Sequence, residues 1–197
     1  MESTITVSPS AAAIDRQLAG RWLKAVCLSA ALVLFVPTAH AWFWEAPTWP
    51  SINTELLEDY PQVTHISTQM LEQRLADDGK PAPLLIDARA SEEFSVSHIE
   101  GARHAETVEQ IKALLADRPD DTPVIVYCSV GVRSARLVAK LQDAGVSDAV
   151  NLKGSIFEWA NRGLPVFKGQ QTTHGVHPFN RKWGELLDRE HWSHDPE

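Results

Sequence analysis

Apolar residues follow two alternating patterns between residues 63 and 167. Short continuous apolar runs predict strands that are buried on both faces, at Val63–Ile66, Leu84–Arg89, Val124–Cys128 and Ala149–Leu152. Between them, apolar residues recur at helical spacing, which predicts helices at Ser67–Ala76, Thr107–Ala116, Arg133–Ala144 and Ser155–Gly163, with a short helical turn from Ser91. Strands without a polar face that alternate with helices indicate an α/β fold with a mostly parallel sheet.

The first 41 residues have the pattern of an export signal. Basic residues precede an apolar run, Ala25–Val36, which is shorter than the ~20 residues of a membrane span. Ala39-His40-Ala41 then fits the small-x-small cleavage rule. We expect cleavage after Ala41 and export to the bacterial periplasm, with no stable membrane span left. An uncleaved N-terminal anchor is the alternative.

Export changes what the cysteines can do. The chain has two cysteines, and Cys27 lies within the signal segment, so the mature protein keeps only Cys128. A lone cysteine in an exported protein is either a free reactive thiol or an intermolecular link.

Length and composition indicate the number of domains, and the charge argues against one class of partner. The 197 residues are 44% hydrophobic, which suits one domain with appendages, and the formal charge is −8. That balance, without a Lys/Arg run, argues against a nucleic-acid partner.

Two segments flank the regular region. Residues 42–62 are rich in Trp and Pro without a period, and we expect an extended arm lying on the domain; a membrane-interface or partner contact is the alternative. Residues 168–197 are expected to be a polar tail that wraps the domain. Two H-x-x-H spacings there ("HGVH", "HWSH") could supply metal ligands, but without a cysteine or carboxylate pattern we expect no metal site.

The candidate reactive residue is Cys128, in the loop between the end of a predicted strand and the start of a predicted helix. Ligands of open parallel sheets bind beyond the carboxyl ends of the strands. The first N–H groups of a helix lack helical partners and the helix dipole is positive there, so this loop can hold an anion and lower the pKa of a thiol. Gly131 lets the loop turn back on itself, and Arg133 adds a positive charge. We therefore predict a reactive Cys128 rather than a buried structural cysteine, within a loop of Ser129, Val130, Gly131, Val132, Arg133 and Ser134.

Three stretches in order resemble the single-domain rhodanese family of sulfurtransferases: "LLIDARASEEFSVSHIEGARHA", "VIVYCSVGVRS" and "VNLKGSIFEWANRGLPV". The resemblance covers residues 63–167. It implies a three-layer α/β fold with a central, mostly parallel sheet of about five strands, and no cofactor. Two positions depart from the family pattern, which often has Pro at Glu100 and a second Gly at Ser155.

The resemblance also implies a mechanism. The Cys128 thiolate would attack the outer sulfur of a donor such as thiosulfate, release sulfite and carry the sulfur as a persulfide, which cyanide or a thiol would then accept. Loop N–H groups would stabilise the terminal sulfur, Arg133 would steady the sulfonate, and Ser134 would support the loop. Since Arg133 is the only cation of the loop, a persulfide or another sulfane sulfur could replace thiosulfate as donor.

Asp87 and Arg89 lie at the same sheet edge. We expect a structural role for both, with Arg89 paired to Asp87, Glu92 or Glu93. His98 is expected to hydrogen-bond the backbone.

Other functions remain open. Cysteine-loop phosphatases and arsenate reductases place one residue more between cysteine and arginine than the four found here, Ser129 to Val132. A persulfide carrier that serves one protein thiol partner is a non-enzymatic alternative, and metal handling by the histidine-containing tail is a weaker one.

Overall fold

The structure is a computed structural model that describes residues 46–194. The predicted signal segment, its cleavage site and the first residues of the predicted arm lie outside the described residues. Within residues 46–194, no helix combines the length and apolar character needed to cross a bilayer.

A five-stranded parallel sheet forms the centre of the molecule. Its strands, in the spatial order β1-β5-β4-β2-β3, are β1 (His65–Ile66), β2 (Leu84–Asp87), β3 (Arg103–His104), β4 (Val124–Tyr127) and β5 (Val150–Leu152). The helices around it are α1 (Trp49–Asp59), α2 (Thr68–Leu75), α3 (Ser91–Val96), α4 (Val108–Leu115), α5 (Val132–Asp143) and α6 (Ser155–Asn161). The predicted α/β architecture is confirmed.

Both faces of the sheet are buried at its central strands β2 and β4, as the continuous apolar runs predict. Along β4, Ile125 and Tyr127 belong to one core cluster, whereas Val124 and Val126 belong to the other. The first cluster includes residues of α1, α2 and α6, and the second includes residues of α4 and α5. The period of two along the strand thus divides its side chains between two helical layers.

Helix starts agree with the capping signals in the sequence. The Ser67 hydroxyl accepts the Met70 N–H at the start of α2, and Thr107 forms a capping box with Gln110 at the start of α4. The strand β2 is shorter than predicted and ends at Asp87, because the Asp87 carboxylate accepts the backbone N–H of Arg89 in place of a sheet partner.

The extended conformation expected for residues 42–62 is wrong for α1. Thr48 and Ser51 form a capping box there, Pro50 occupies the first turn, and Ile52 and Leu56 are buried one helical turn apart. These two side chains belong to the same core cluster as Ile125 and Tyr127 of β4, so α1 is part of the packed domain.

The C-terminal segment is folded and partly apolar, in contrast to the polar tail that we expected. It contains the antiparallel hairpin β6 (Val166–Lys168) and β7 (Gln171–Thr173), the short helix α7 (Arg181–Gly184) and a 3-10 turn, Arg189–His191. Three of its side chains are buried in the core: Val176, Leu186 and Leu187. In residues 46–194, no group of three or more His, Cys, Asp or Glu residues could hold a metal ion.

Candidate active site

The register of the sheet brings two candidate segments together. β2 and β4 are neighbours, and Asp87 lies opposite Tyr127 at their carboxyl ends. Arg89 and Cys128 therefore leave the same edge of the sheet, the edge where parallel α/β proteins bind ligands.

The Cys128 sulfur lies against the turn that starts α5. Cys128 is 1% exposed, and the backbone N–H of Gly131 donates a hydrogen bond to its Sγ at 3.2 Å. Gly131 is the N-cap of α5 with a φ of 115°, a left-handed conformation that glycine adopts without steric cost. The positive end of a 12-residue helix thus faces the thiol.

The start of α6 supports the other side of the loop. Ile156 N–H donates to the Cys128 carbonyl and Phe157 N–H donates to the Ser129 carbonyl. With these carbonyls turned toward α6, the N–H groups of Gly131 and Ser134 face the sulfur.

Ser155 connects α6 directly to the candidate nucleophile. Its hydroxyl accepts the Cys128 N–H at 3.1 Å and donates to the Leu152 carbonyl at 2.8 Å. Ser155 is fully buried, and its φ of 51° is left-handed, which is uncommon for a residue other than glycine. Ser155, one of the two positions that depart from the family pattern, therefore holds the backbone of Cys128.

These surroundings favour the thiolate. Burial raises the pKa of the Cys128 thiol, but the Arg133 charge, the Ser134 hydroxyl and N–H, and the Gly131 N–H together outweigh burial, so the pKa lies below its ordinary value. A thiolate in this position is a ready nucleophile.

The Ser134 hydroxyl belongs to a buried polar chain. It donates to Asn151 Oδ1 at 2.6 Å and also lies 3.1 Å from the carbonyl oxygen of Gly131. The Asn151 amide in turn lies 3.0 Å from His65 Nδ1. The support role predicted for Ser134 thus extends across β5 to β1.

Arg133 is engaged by a carboxylate that sequence reasoning did not place in the site. Its two terminal nitrogens each donate to one oxygen of Glu93 at 2.8 Å, a fork-to-fork pair. Ser129 Oγ also donates to Glu93, at 3.0 Å. Burial raises the pKa of Glu93, but Arg133 and then the Ala90 N–H and Arg89 outweigh it, so the pKa is lowered and the carboxylate is charged.

A residue of the C-terminal segment covers the same arginine. The Phe179 ring lies over the Arg133 guanidinium, with 4.7 Å from Cζ to the ring centroid. His177 lies near enough for the Glu93 charge to act on it. The segment beyond residue 162 therefore takes part in the site.

Asp87 and Arg89 form a buried pair with neither side chain exposed. This is one of the pairings predicted for Arg89, and Arg89 also donates to the Ser97 carbonyl. Burial lowers the pKa of Arg89, but Asp87 raises it more, so the guanidinium stays charged. His98 Nδ1 lies 3.3 Å from the Phe94 carbonyl, the backbone contact that we expected.

The two valines of the loop have a packing role. Val130 is buried in the core cluster and Val132 packs against that cluster while partly exposed. The loop residues that reach the polar side are Ser129, Gly131, Arg133 and Ser134.

The fold and the loop define an α/β protein with an activated cysteine at the carboxyl edge of a parallel sheet. Residues 67–162 match the rhodanese-like domain family. A sulfurtransferase of Allochromatium vinosum is 35% identical over 104 residues, which span 53% of this chain and 94% of that protein. A thiosulfate sulfurtransferase of Actinobacillus succinogenes is 34% identical over 96 residues, which span 48% of this chain and 81% of that protein.

Two more distant matches are a solved structure and a sequence relative. The crystal structure of a thiosulfate sulfurtransferase from Pseudomonas aeruginosa superposes with a TM-score of 0.52 at 23% identity, and the match covers 67% of this chain and 25% of that one. A tRNA uridine(34) hydroxylase of Enterobacter sp. is 28% identical over 155 residues, which span 74% of this chain and 41% of that protein. The chain belongs to the rhodanese-like family, as the resemblance predicted, and its relatives support a sulfurtransferase role.

Proposed function

We propose that this protein is a sulfurtransferase that carries sulfane sulfur as a persulfide on Cys128. The observation that carries the proposal is the lowered pKa of the Cys128 thiol beside the N–H groups that start α5. Relatives named sulfurtransferase and thiosulfate sulfurtransferase support the reaction class.

The first half of the cycle is a displacement at sulfur. The Cys128 thiolate attacks the outer sulfur of thiosulfate or a similar donor, the S–S bond of the donor breaks, and sulfite leaves with the electron pair. The new Cys128–S–S⁻ anion then takes the place of the thiolate beside the Gly131 N–H. Donors that are already in place for the terminal sulfur lower the barrier in the way oxyanion-hole donors do.

The second half of the cycle needs an acceptor from outside the chain. After the proposed cleavage behind Ala41, Cys128 is the one cysteine of residues 42–197, so the mature chain would have no second thiol to resolve the persulfide. Cyanide attack on the outer sulfur yields thiocyanate and regenerates the thiolate, and an external thiol yields a persulfide in the same way. Sustained turnover of thiosulfate with cyanide is expected of an enzyme, whereas a single loading without turnover would indicate a carrier for one protein partner.

Intact-mass measurement after incubation with thiosulfate tests the loading step. The protein is expected to gain the mass of one sulfur atom, and Cys128→Ser is expected to gain none. Hydrolysis of an aryl phosphate without any gain of sulfur would refute the proposal in favour of a cysteine-loop phosphatase.

We propose the periplasm as the site of this activity, on the strength of the signal pattern in residues 1–41. Fractionation of cells that express the full chain tests this: recovery in the cytoplasm would contradict it.

A further inference from the structure

We propose that Glu93 sets the donor specificity of this site: by occupying Arg133 it disfavours the thiosulfate dianion relative to sulfane-sulfur donors of low charge. The inference rests on the proposed sulfur transfer at Cys128, and it names a residue of α3, outside the cysteine loop, as the determinant.

The geometry of the pair shows how Arg133 is occupied. Glu93 accepts from both terminal nitrogens of Arg133, and one of these nitrogens also donates to Ser129 Oγ at 2.9 Å. The Glu93 side chain is only 3% exposed, whereas that of Arg133 is 35% exposed. Since the backbone N–H of Ala90 donates to Glu93 as well, the carboxylate is fixed in place and holds the arginine to itself.

The surroundings leave this pairing undisturbed. The Phe179 ring covers the guanidinium and offers it no anion. A second pair at this edge of the sheet, Asp87 with Arg89, is fully buried and has no net charge. The charges of the two pairs, Glu93 with Arg133 and Asp87 with Arg89, therefore sum to zero, and the loop cation that a sulfonate would need is already paired with a carboxylate.

The consequence differs between classes of donor. Thiosulfate would bring two negative charges beside Glu93 and the thiolate, and like charges at short range in a partly buried site repel strongly. An organic persulfide, R–S–SH, lacks the sulfonate. In its reaction, the Cys128 thiolate forms a bond to the outer sulfur and the donor S–S bond breaks. The thiolate R–S⁻ leaves, and the proton stays on the transferred sulfur.

The test compares two donors on one protein. Rapid-quench intact mass gives the rate of sulfur gain at Cys128 from thiosulfate and from the persulfide of 2-mercaptoethanol, and the quantity of interest is the ratio of the two rates. A ratio is used because any loss of folded protein lowers both rates equally. In Glu93→Gln, we expect this ratio to rise about tenfold or more in favour of thiosulfate, since an isosteric side chain frees the Arg133 charge.

Two further variants make the result specific. Glu92→Gln changes the net charge equally on the exposed side of α3, and its ratio is expected to stay at the wild-type value. The double variant Glu93→Gln/Arg133→Gln replaces an ion pair by a neutral pair, and its ratio is expected to return to within about threefold of wild type.

Each of three outcomes overturns the inference. An unchanged ratio in Glu93→Gln does so, as does an equal rise in Glu92→Gln. A selective loss of thiosulfate in the double variant would mean that Arg133 already binds the sulfonate in the wild type. If the wild type gains no sulfur from either donor, the proposed sulfur transfer itself is refuted and the inference falls with it.

Discussion

Ser155 is predicted to affect both the stability of the fold and the sulfur loading of Cys128, through different parts of its structure. Ser155 has a left-handed φ of 51° and holds the Cys128 N–H. Ser155→Ala removes the hydroxyl and keeps the Cβ, whereas Ser155→Gly removes both. Comparing the two variants separates the hydrogen bonds from the backbone strain.

The stability effects follow from the contacts. Both variants lose the hydrogen bonds of Ser155 to the Cys128 N–H and the Leu152 carbonyl, each with a net value of about 1 kcal/mol, or more where the partner stays buried and unpaired. We therefore expect Ser155→Ala to lower the free energy of unfolding by roughly 2–3 kcal/mol. A Cβ in left-handed backbone costs about 1–2 kcal/mol, which glycine lacks, so Ser155→Gly should lose about 1 kcal/mol less than Ser155→Ala.

Loading of Cys128 should instead fall equally in both variants. Each of them releases the backbone N–H that fixes the nucleophile, and a loss of alignment equivalent to about 1.4 kcal/mol is tenfold in rate. Urea unfolding gives the stabilities, and intact mass under an excess of sulfur donor gives the loading rates. Ser147→Ala, at an exposed serine bonded to its neighbour Asp148, is the matched control.

Two results would refute this reasoning. Wild-type loading by Ser155→Gly would mean that the hydrogen bond to Cys128 is dispensable. Equal stability of the two variants would mean that the left-handed backbone at residue 155 does not penalise a Cβ.

Three other predictions concern charge and processing. Arg133→Gln should raise the pKa of Cys128, because the Arg133 charge is the foremost of the causes that lower it. Alkylation of Cys128 by iodoacetamide should then require a higher pH. An unchanged midpoint in the pH dependence of the alkylation rate would contradict this. Asp87→Asn leaves Arg89 charged, buried and without its carboxylate, so it should cost about 3–5 kcal/mol in urea unfolding, and a loss below about 1 kcal/mol would argue against a buried ion pair. Cleavage is expected after Ala41, so N-terminal sequencing of the exported protein should begin at Trp42.

The sheet and the position of the cysteine could be predicted because both depend on local patterns. A continuous apolar run followed by a helical period identifies a strand, a loop and a helix without any tertiary information. The order of the runs, together with the rule that ligands bind at carboxyl ends, then predicts the Cys128 loop as the candidate site. The Asp87–Arg89 pair is also local, since its members are two residues apart.

Residues that reach the loop from elsewhere could not be predicted in this way. Glu93 meets Arg133 across a sequence separation of 40 residues, and only the packing of α3 beside the loop brings them together. Ser155 was recognised as a departure, but its left-handed backbone and its contact with Cys128 depend on how β5 turns into α6. Gly154 makes this turn with a φ of 78°, and a Cβ there would collide with the Glu158 side chain.

The helix α1 was missed although its signals were present. Thr48 followed by Pro50 and Ser51 is a capping pattern, and Ile52 and Leu56 have helical spacing. The density of Trp and Pro obscured these signals. The omission matters for the site, because Leu56 lies 3.5 Å from the space that a Cβ on Gly131 would fill, so α1 packs behind the cysteine loop.

The C-terminal segment shows why the family domain alone does not define this site. Phe179 covers Arg133, yet Val176 and Leu187 of the same segment are buried in the main core. Deleting everything after Lys168 would therefore remove part of the core as well as the ring, and a loss of activity in such a truncation could not be assigned to either. Point substitution of Phe179, which is 43% exposed, leaves the core side chains in place. Single substitutions such as that of Phe179 are therefore the way to measure what this segment contributes to sulfur transfer.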